Sequence, residues 1–170
     1  MKKFTRLICA TAVSTTMLAG NVLADSSEFE RRRHMNSIVG AWEVEVTVRV
    51  DAPDCTTAAP VPFGVNPFPS LNTFHEGGTM SETGSRSPPS MRSPGHGVWK
   101  RTGRHSFVYR LTFQGFDGNG FLATNMDISS QLTLAPDGQT FKGVSRFAFS
   151  DVSGNTFPFC ATLDGIRFAV

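Results

Sequence analysis

Tyr109 and His96 are side chains of types that carry out acid–base chemistry, and the alternative for His96 is an ordinary surface histidine. Tyr109 is the only tyrosine of the chain, and His96 is one of four histidines. A tyrosine and a histidine that meet in a pocket can serve as general acid and general base. An inward-facing glutamate such as Glu82 can take the same role, although the sequence leaves its facing open. We therefore treat Tyr109 and His96 as candidate catalytic residues.

The same inventory of residues argues against a bound metal or cofactor. The histidines lack both the His-Glu-x-x-His motif and any i, i+4 pair, the spacings that place two ligands on one metal ion. The sequence also has no Gly-x-Ser-x-Gly nucleophile motif, no phosphate-binding loop and no dinucleotide fingerprint. We expect no metal site and no cofactor.

Apolar side chains recur at every second position of several segments, which is typical of β-strands with one buried face. The chain has 15 phenylalanines, and only Phe4 lies in the N-terminal leader described below. Small-molecule pockets are mainly apolar with a few polar groups that orient the ligand. These residues therefore either pack a core or line a pocket. The candidate ligand-binding residues are Val48, Val50, Phe107, Tyr109, Phe113, Thr124, Met126, Ser145, Phe147, Phe149, Phe157 and Phe159.

Eight β-strands must position these side chains. Turn-forming residues such as Gly77-Gly78 and Asp117-Gly118 separate segments of alternating polarity, and no long helical periodicity is present. The predicted strands are 40–50, 71–76, 79–84, 95–101, 105–116, 120–134, 139–150 and 156–169. We predict an all-β fold, an eight-stranded antiparallel up-and-down β-barrel, because closure leaves no exposed sheet edge.

Two long connections indicate where a binding site would open. Residues 51–70 hold five of the ten prolines, and residues 85–94 hold three more. In an up-and-down order both connections lie at the same end of the barrel, whereas the connections at the other end are tight. Long loops in a compact domain are often lids or binding loops. The sequence therefore predicts a barrel with one closed end and one end covered by a proline-rich lid.

The cysteines predict one disulfide bond. Cys9 lies in the leader, which leaves Cys55 in the first long loop and Cys160 on the last strand. Two cysteines in an oxidising compartment most simply pair with each other. Closing a loop of about 105 residues contributes roughly 4–5 kcal/mol in the chain-entropy model. A metal pair or a free nucleophile is less well supported, because no Cys-x-x-Cys spacing is present.

The N-terminal segment has the features of a secretory signal peptide. Residues 1–24 combine a basic start, an apolar stretch too short to span a bilayer and a small-residue cleavage site ending at Ala24. We expect cleavage after Ala24, a short helical turn within 25–38, a barrel domain over 39–170, and a periplasmic or secreted location. The chain carries a formal charge of +2, and loss of the three leader cations leaves −1. This charge argues against a nucleic-acid partner.

Two short motifs resemble those of the lipocalin and wider calycin family. Gly40-Ala41-Trp42 matches the family's opening Gly-x-Trp, and Arg167 matches the arginine that the family stacks over that tryptophan at the closed end. The resemblance implies structural roles for Trp42 and Arg167 and an interior that binds a small hydrophobic molecule. The chain departs from the family in lacking its Thr-Asp-Tyr motif and a helix between the last strands. Its glycine pattern over 74–79 and 95–101 is closer to small bacterial lipocalin-like proteins of unassigned function.

Three functions are compatible with these features. The first is a secreted barrel that binds a small hydrophobic or amphipathic molecule under the lid. The second is a cofactor-free isomerase, cyclase or lyase, since barrels of the allene oxide cyclase and dirigent type have the same strand number. The third is an interaction module that uses the proline-rich loops as its partner surface. The sequence leaves the ligand and the oligomeric state open.

Overall fold

The computed structural model describes residues 36–151 and 153–168, which form a closed antiparallel barrel. Each strand pairs with the next along the chain, and the last strand pairs with the first. This arrangement confirms the predicted eight-stranded up-and-down β-barrel. The strands are β1 Gly40–Val50, β2 Phe68–Phe74, β3 Thr79–Gly84, β4 Gly95–Arg101, β5 Ser106–Phe116, β6 Leu122–Leu134, β7 Thr140–Asp151 and β8 Thr156–Arg167.

Two N-terminal predictions fall on residues outside this part of the chain. The signal peptide over 1–24 and the helical turn expected around 28–34 both precede residue 36, where the description begins. In the described residues, no helix has the length and apolar character needed to cross a membrane.

The period-two pattern of each strand decides which side chains enter the barrel. On β1, Trp42, Val44 and Val48 are buried, whereas Glu43 and Glu45 between them are exposed. The other strands alternate in the same way, so the inward side chains meet in a single interior. We call the end of the barrel where β1 begins, at Gly40, the lower end, and the end where β1 finishes, at Val50, the upper end. The lower half of this interior is a packed hydrophobic core.

The second strand begins earlier than its composition suggests. It starts at Phe68 rather than residue 71, so it includes Pro69. Pro69 lies opposite Glu45, and its carbonyl accepts hydrogen bonds from the backbone nitrogen and side-chain hydroxyl of Ser85. Proline is tolerated at this strand start because only its carbonyl, and no N–H, is needed there.

Arg167 and Trp42 close the lower end of the barrel, as the sequence resemblance implied. The two residues are direct partners in the β1–β8 ladder, and the guanidinium carbon of Arg167 lies 4.2 Å from the centroid of the Trp42 ring. Arg167 also donates to the carbonyls of Ser37, Val39 and Gly138 at 2.5–2.8 Å. The cation–π contact is worth roughly 0.5–2 kcal/mol, and the three charge-assisted hydrogen bonds add to it.

Gly40 has a physical reason to be glycine in the Gly-x-Trp motif. Its φ of +132° is a conformation that other residues rarely adopt. A Cβ at this position would lie 2.7 Å from Nη1 of Arg167. The motif therefore supplies both the ring that Arg167 covers and the space that its guanidinium occupies.

The predicted disulfide forms between Cys55 and Cys160, whose Cα atoms are 5.9 Å apart. Cys160 faces outward on β8, because its neighbours Phe159 and Ala161 line the interior. Cys55 therefore fastens the start of the first loop to the outer wall of the barrel. Arg146 of β7 strengthens this attachment by donating hydrogen bonds to the carboxylate of Asp51 at 3.0 Å and to the backbone carbonyls of Ala52 and Pro53.

We predict that replacing Arg167 with methionine lowers the free energy of unfolding by about 2–4 kcal/mol, because three carbonyls lose a charged donor and Trp42 loses its cation. Urea unfolding monitored by tryptophan fluorescence measures the change. Arg110→Met is the matched control, since Arg110 is exposed on β5 and its loss should change stability by less than about 0.5 kcal/mol. Equal losses of stability in the two variants would contradict the stabilising role of Arg167 at the lower end of the barrel.

Candidate functional site

The upper half of the barrel encloses a cavity of about 610 Å³. It lies above the packed core and opens at the end where the connections 51–67, 85–94 and 117–121 meet. This volume falls within the range of small-molecule sites. The cavity is therefore at the end of the barrel that the loop lengths predicted.

Aromatic and aliphatic side chains form most of the cavity wall. Phe147 and Phe159 stack with ring centroids 5.8 Å apart, and Phe149 and Phe157 lie 5.7 Å apart. The predicted ligand-binding residues found in the wall are Val48, Tyr109, Phe113, Thr124, Met126, Ser145, Phe147, Phe149, Phe157 and Phe159. The wall therefore contains nearly the whole set expected from the sequence.

Two members of the predicted set lie elsewhere. Val50 is 51% exposed at the upper end of β1 and does not line the cavity, although its ladder partner Phe159 does. Phe107 is only 1% exposed, but it belongs to the lower core, where it packs against Trp99 and the guanidinium of Arg101. The alternation of β5 gave the facing of Phe107 correctly, but its height along the strand places it below the cavity.

The second part of the first loop covers the mouth. The backbone nitrogen of Val61 donates to the carbonyl of Val48, and the side chain of Asn66 bonds both the nitrogen and the carbonyl of Val48. These contacts continue the β1 ladder above the point where β2 begins. They hold Phe63 over the cavity, where its ring forms part of the wall. The stiffness of the lid thus comes from pairing with β1.

An ion pair lies inside the cavity, formed by Glu82, whose facing the sequence left open, and Arg92, which the sequence did not indicate. Arg92 reaches in from the connection after β3, and its Nη2 lies 2.6 Å from Oε2 of Glu82. Both side chains are about one-tenth exposed or less. Arg92 also donates to the carbonyl of Gly84 and stacks 3.9 Å from the centroid of the Phe113 ring. Oε1 of Glu82 accepts a hydrogen bond from Ser70 at 2.8 Å.

Two glycines make room for this ion pair. A Cβ on Gly84 would lie 2.7 Å from Nη1 of Arg92, and a Cβ on Gly95 would lie 2.7 Å from Oε2 of Glu82. Both glycines are buried at the upper ends of adjacent strands. Larger residues at either position would displace the charged groups from each other.

Tyr109 lies at the base of the cavity among hydroxyl and amide groups. It is 5% exposed, and burial is the main cause that raises the pKa of its phenol. The negative charge of Glu82 raises this pKa further, whereas hydrogen bonding with Ser130, Ser145 and Asn72 opposes the shift. Ser130 and Ser145 also bond each other at 2.6 Å. Tyr109 is therefore a neutral phenol at physiological pH and can donate or accept a hydrogen bond.

The structure does not bring His96 together with Tyr109. His96 is exposed on the outer face of β4, whereas Tyr109 points inward from β5. The inward positions of β4 near the cavity are glycines, and a Cβ on Gly97 would lie 2.6 Å from the Cβ of Leu111. The structure therefore does not support His96 and Tyr109 as an acid–base pair. Within residues 36–151 and 153–168, no three His, Cys, Asp or Glu side chains are arranged to hold a metal ion.

Sequence reasoning missed most of the charged and amide groups at the cavity. Arg86 and Arg92 lie in a proline-rich connection with no periodicity, so no pattern indicated that either side chain turns inward. Ser70 and Asn72 do alternate with exposed residues on β2. Their spacing was a usable signal, but the strand was predicted to begin only at residue 71.

We predict that Glu82→Gln lowers the free energy of unfolding by about 3–5 kcal/mol, because Arg92 then remains buried without a counter-charge. The double variant Glu82→Gln/Arg92→Met should recover much of this loss, because it removes both charges. Urea unfolding of the single and double variants measures the difference. If the double variant is as unstable as the single one, the two charges are not coupled.

We predict that the tyrosinate absorbance near 295 nm develops at higher pH in the native protein than in the urea-unfolded chain, where the midpoint should be about 10. The chain has a single tyrosine, so the signal reports Tyr109 alone. Because its folded pKa is raised, the neutral phenol stabilises the fold below pH 10, and this contribution is lost as pH rises through the folded pKa. Tyr109→Phe should abolish the signal, and a native midpoint at or below 10 would contradict the burial of the phenol.

Comparison with known proteins assigns no family to this site. No protein-family model matches the chain, and no curated protein matches it in sequence. The functional argument therefore depends on the geometry of the barrel and on its cavity.

Proposed function

We propose that this protein is a lipocalin-like barrel that binds one small hydrophobic or amphipathic molecule in its interior. The observation that carries the proposal is the cavity of about 610 Å³, which is lined by phenylalanine rings and contains a small set of polar groups. An apolar wall with a few oriented polar groups is the usual composition of a small-molecule site.

The two ends of the barrel support a binding role. Arg167 and Trp42 block the lower end, so a ligand must enter and leave at the mouth. Asn66 and Val61 hold the lid against β1, which keeps Phe63 close to the space that a ligand would fill. The same Trp42–Arg167 geometry supports the resemblance to lipocalins, which rests on these two motifs.

We also propose that the protein is secreted or periplasmic, with cleavage after Ala24. The basic and apolar segments of residues 1–24 support this location. The disulfide between Cys55 and Cys160 supports it independently, because disulfides persist mainly in oxidising compartments.

A cofactor-free isomerase, cyclase or lyase is the second candidate, because Tyr109 and Glu82 are two ionisable groups in the wall of one cavity. A general base needs a free oxygen within reach of the substrate proton. Both oxygens of Glu82 already accept hydrogen bonds, one from Arg92 and one from Ser70. This occupancy favours binding over catalysis.

We predict that the protein binds the neutral fluorophore N-phenyl-1-naphthylamine with an increase in fluorescence, and that Met126→Trp weakens this binding at least tenfold. Met126 lines the cavity, so an indole at this position takes up space that the probe needs. Asn125→Trp is the matched control, because Asn125 is exposed on the outer face of the same strand and its replacement should leave the affinity unchanged.

Fluorescence titration gives the affinities, and thermal unfolding shows that both variants remain folded. Absence of probe binding by the unmodified protein would contradict a binding interior. Equal affinities for the two tryptophan variants would place the probe outside the barrel.

A further inference from the structure

Arg86 occupies a defined position at the mouth of the cavity. It follows β3, and its Nη2 donates to the carbonyl of Phe63 in the lid at 3.1 Å. Its guanidinium carbon lies 5.8 Å from the ring centroid of Phe63 and 5.7 Å from that of Phe68. Backbone and aromatic contacts thus hold this cation between the lid and the upper end of β2.

The guanidinium of Arg86 has a hydrogen-bonding position with no protein partner. Its Nη1 atom is buried and bonds no acceptor. Within residues 36–151 and 153–168 the ion pairs are Arg92–Glu82, Lys142–Asp164 and Arg146–Asp51, so no carboxylate neutralises Arg86. Burial lowers the pKa of Arg86, as expected for a charge that has lost water without gaining a counter-ion. A buried donor left unpaired in this way is unfavourable until an acceptor reaches it.

The second arginine in the cavity wall shows the contrast. Arg92 is neutralised by Glu82 and donates to the carbonyls of Gly84 and Ser93. The charged groups of the wall are Glu82, Arg86 and Arg92, and Tyr109 is neutral at physiological pH. The described wall therefore carries an excess of one positive charge, and this charge belongs to Arg86.

We propose that Arg86 is an anchor for an anionic ligand: it binds the carboxylate of a single-chain amphiphile whose hydrocarbon part lies among the phenylalanines of the cavity. A guanidinium presents planar N–H donors that match a carboxylate, and charge-assisted hydrogen bonds are stronger than neutral ones. The single excess charge favours a monoanion. The apolar wall below Arg86 accommodates a chain rather than a second charged group. This inference rests on the proposed binding function and specifies its ligand class.

The test compares two ligands that differ only in the head group. Dodecanoate and 1-dodecanol are each used, below the concentrations at which they aggregate, to displace N-phenyl-1-naphthylamine at pH 8. We expect dodecanoate to bind at least tenfold more tightly than dodecanol to the unmodified protein. The ratio of the two affinities is the measured quantity, because a general change in the lid affects both ligands equally.

Three variants assign the preference to Arg86. Arg86→Met keeps an unbranched apolar side chain and should reduce the ratio to near one, whereas Arg86→Lys keeps the charge and should retain part of the preference. Arg110→Met removes a cation from the outer surface of β5 and should leave the ratio unchanged.

The outcomes separate this inference from the proposed function. If the fluorophore binds but dodecanoate and dodecanol compete equally, the binding function stands and the anionic anchor is wrong. If Arg86→Met weakens both ligands without changing their ratio, Arg86 only supports the lid and the inference is also wrong. If the fluorophore does not bind to the unmodified protein, the proposed function itself fails.

Discussion

The seam between the first and last strands is the constraint on which the rest of the structure depends. β1 and β8 come from opposite ends of the domain, so their pairing closes the longest loop in the barrel and carries the largest chain-entropy cost. Covalent and charged contacts hold both ends of this seam. Arg167 covers Trp42 at the lower end, and the Cys55–Cys160 disulfide ties the first loop to β8 near the upper end. Without this seam the sheet would have two open edges and the cavity would have no enclosing wall.

The interior divides into two zones because its side chains change along the barrel axis. Large side chains such as Trp42 and Phe141, whose ring centroids are 4.9 Å apart, fill the lower zone. Higher up, Ser145, Ala161 and Thr124 occupy inward positions and leave space. Buried polar groups are stable in this upper zone because they bond one another, as Glu82 does with Arg92. Arg86 is the member of this zone whose bonding is incomplete.

Much of the fold and of the apolar wall could be predicted from the sequence, because strand alternation is a local property. Glycine and aspartate turns gave the strand number, and the facing of residues such as Phe147 and Phe159 followed from period two. Some predicted site residues lie outside the cavity because the alternation of polar and apolar residues does not report every aspect of their position. Phe107 faces inward but lies below the cavity, since alternation does not report height. Val50 continues the apolar pattern of β1 but is exposed, although its ladder partner Phe159 lines the cavity. His96 lies away from Tyr109 for another reason. The close approach of Leu111 at Gly97 shows which face of β4 is internal, and only the folded sheet reveals that approach.

The sequence by itself determined the eight strands, the cysteine pair, the Trp42–Arg167 pair and an interior rich in phenylalanine. These features follow from neighbouring residues, from the small number of cysteines or from recognisable short motifs. Only the tertiary structure decided which charges are neutralised inside the barrel. Arg86 and Arg92 are six residues apart in the same proline-rich connection, yet Arg92 meets Glu82 and Arg86 lies between Phe63 and Phe68. The electrostatic state of each arginine depends on residues brought to it by the folded loops, and no local pattern encodes those distances.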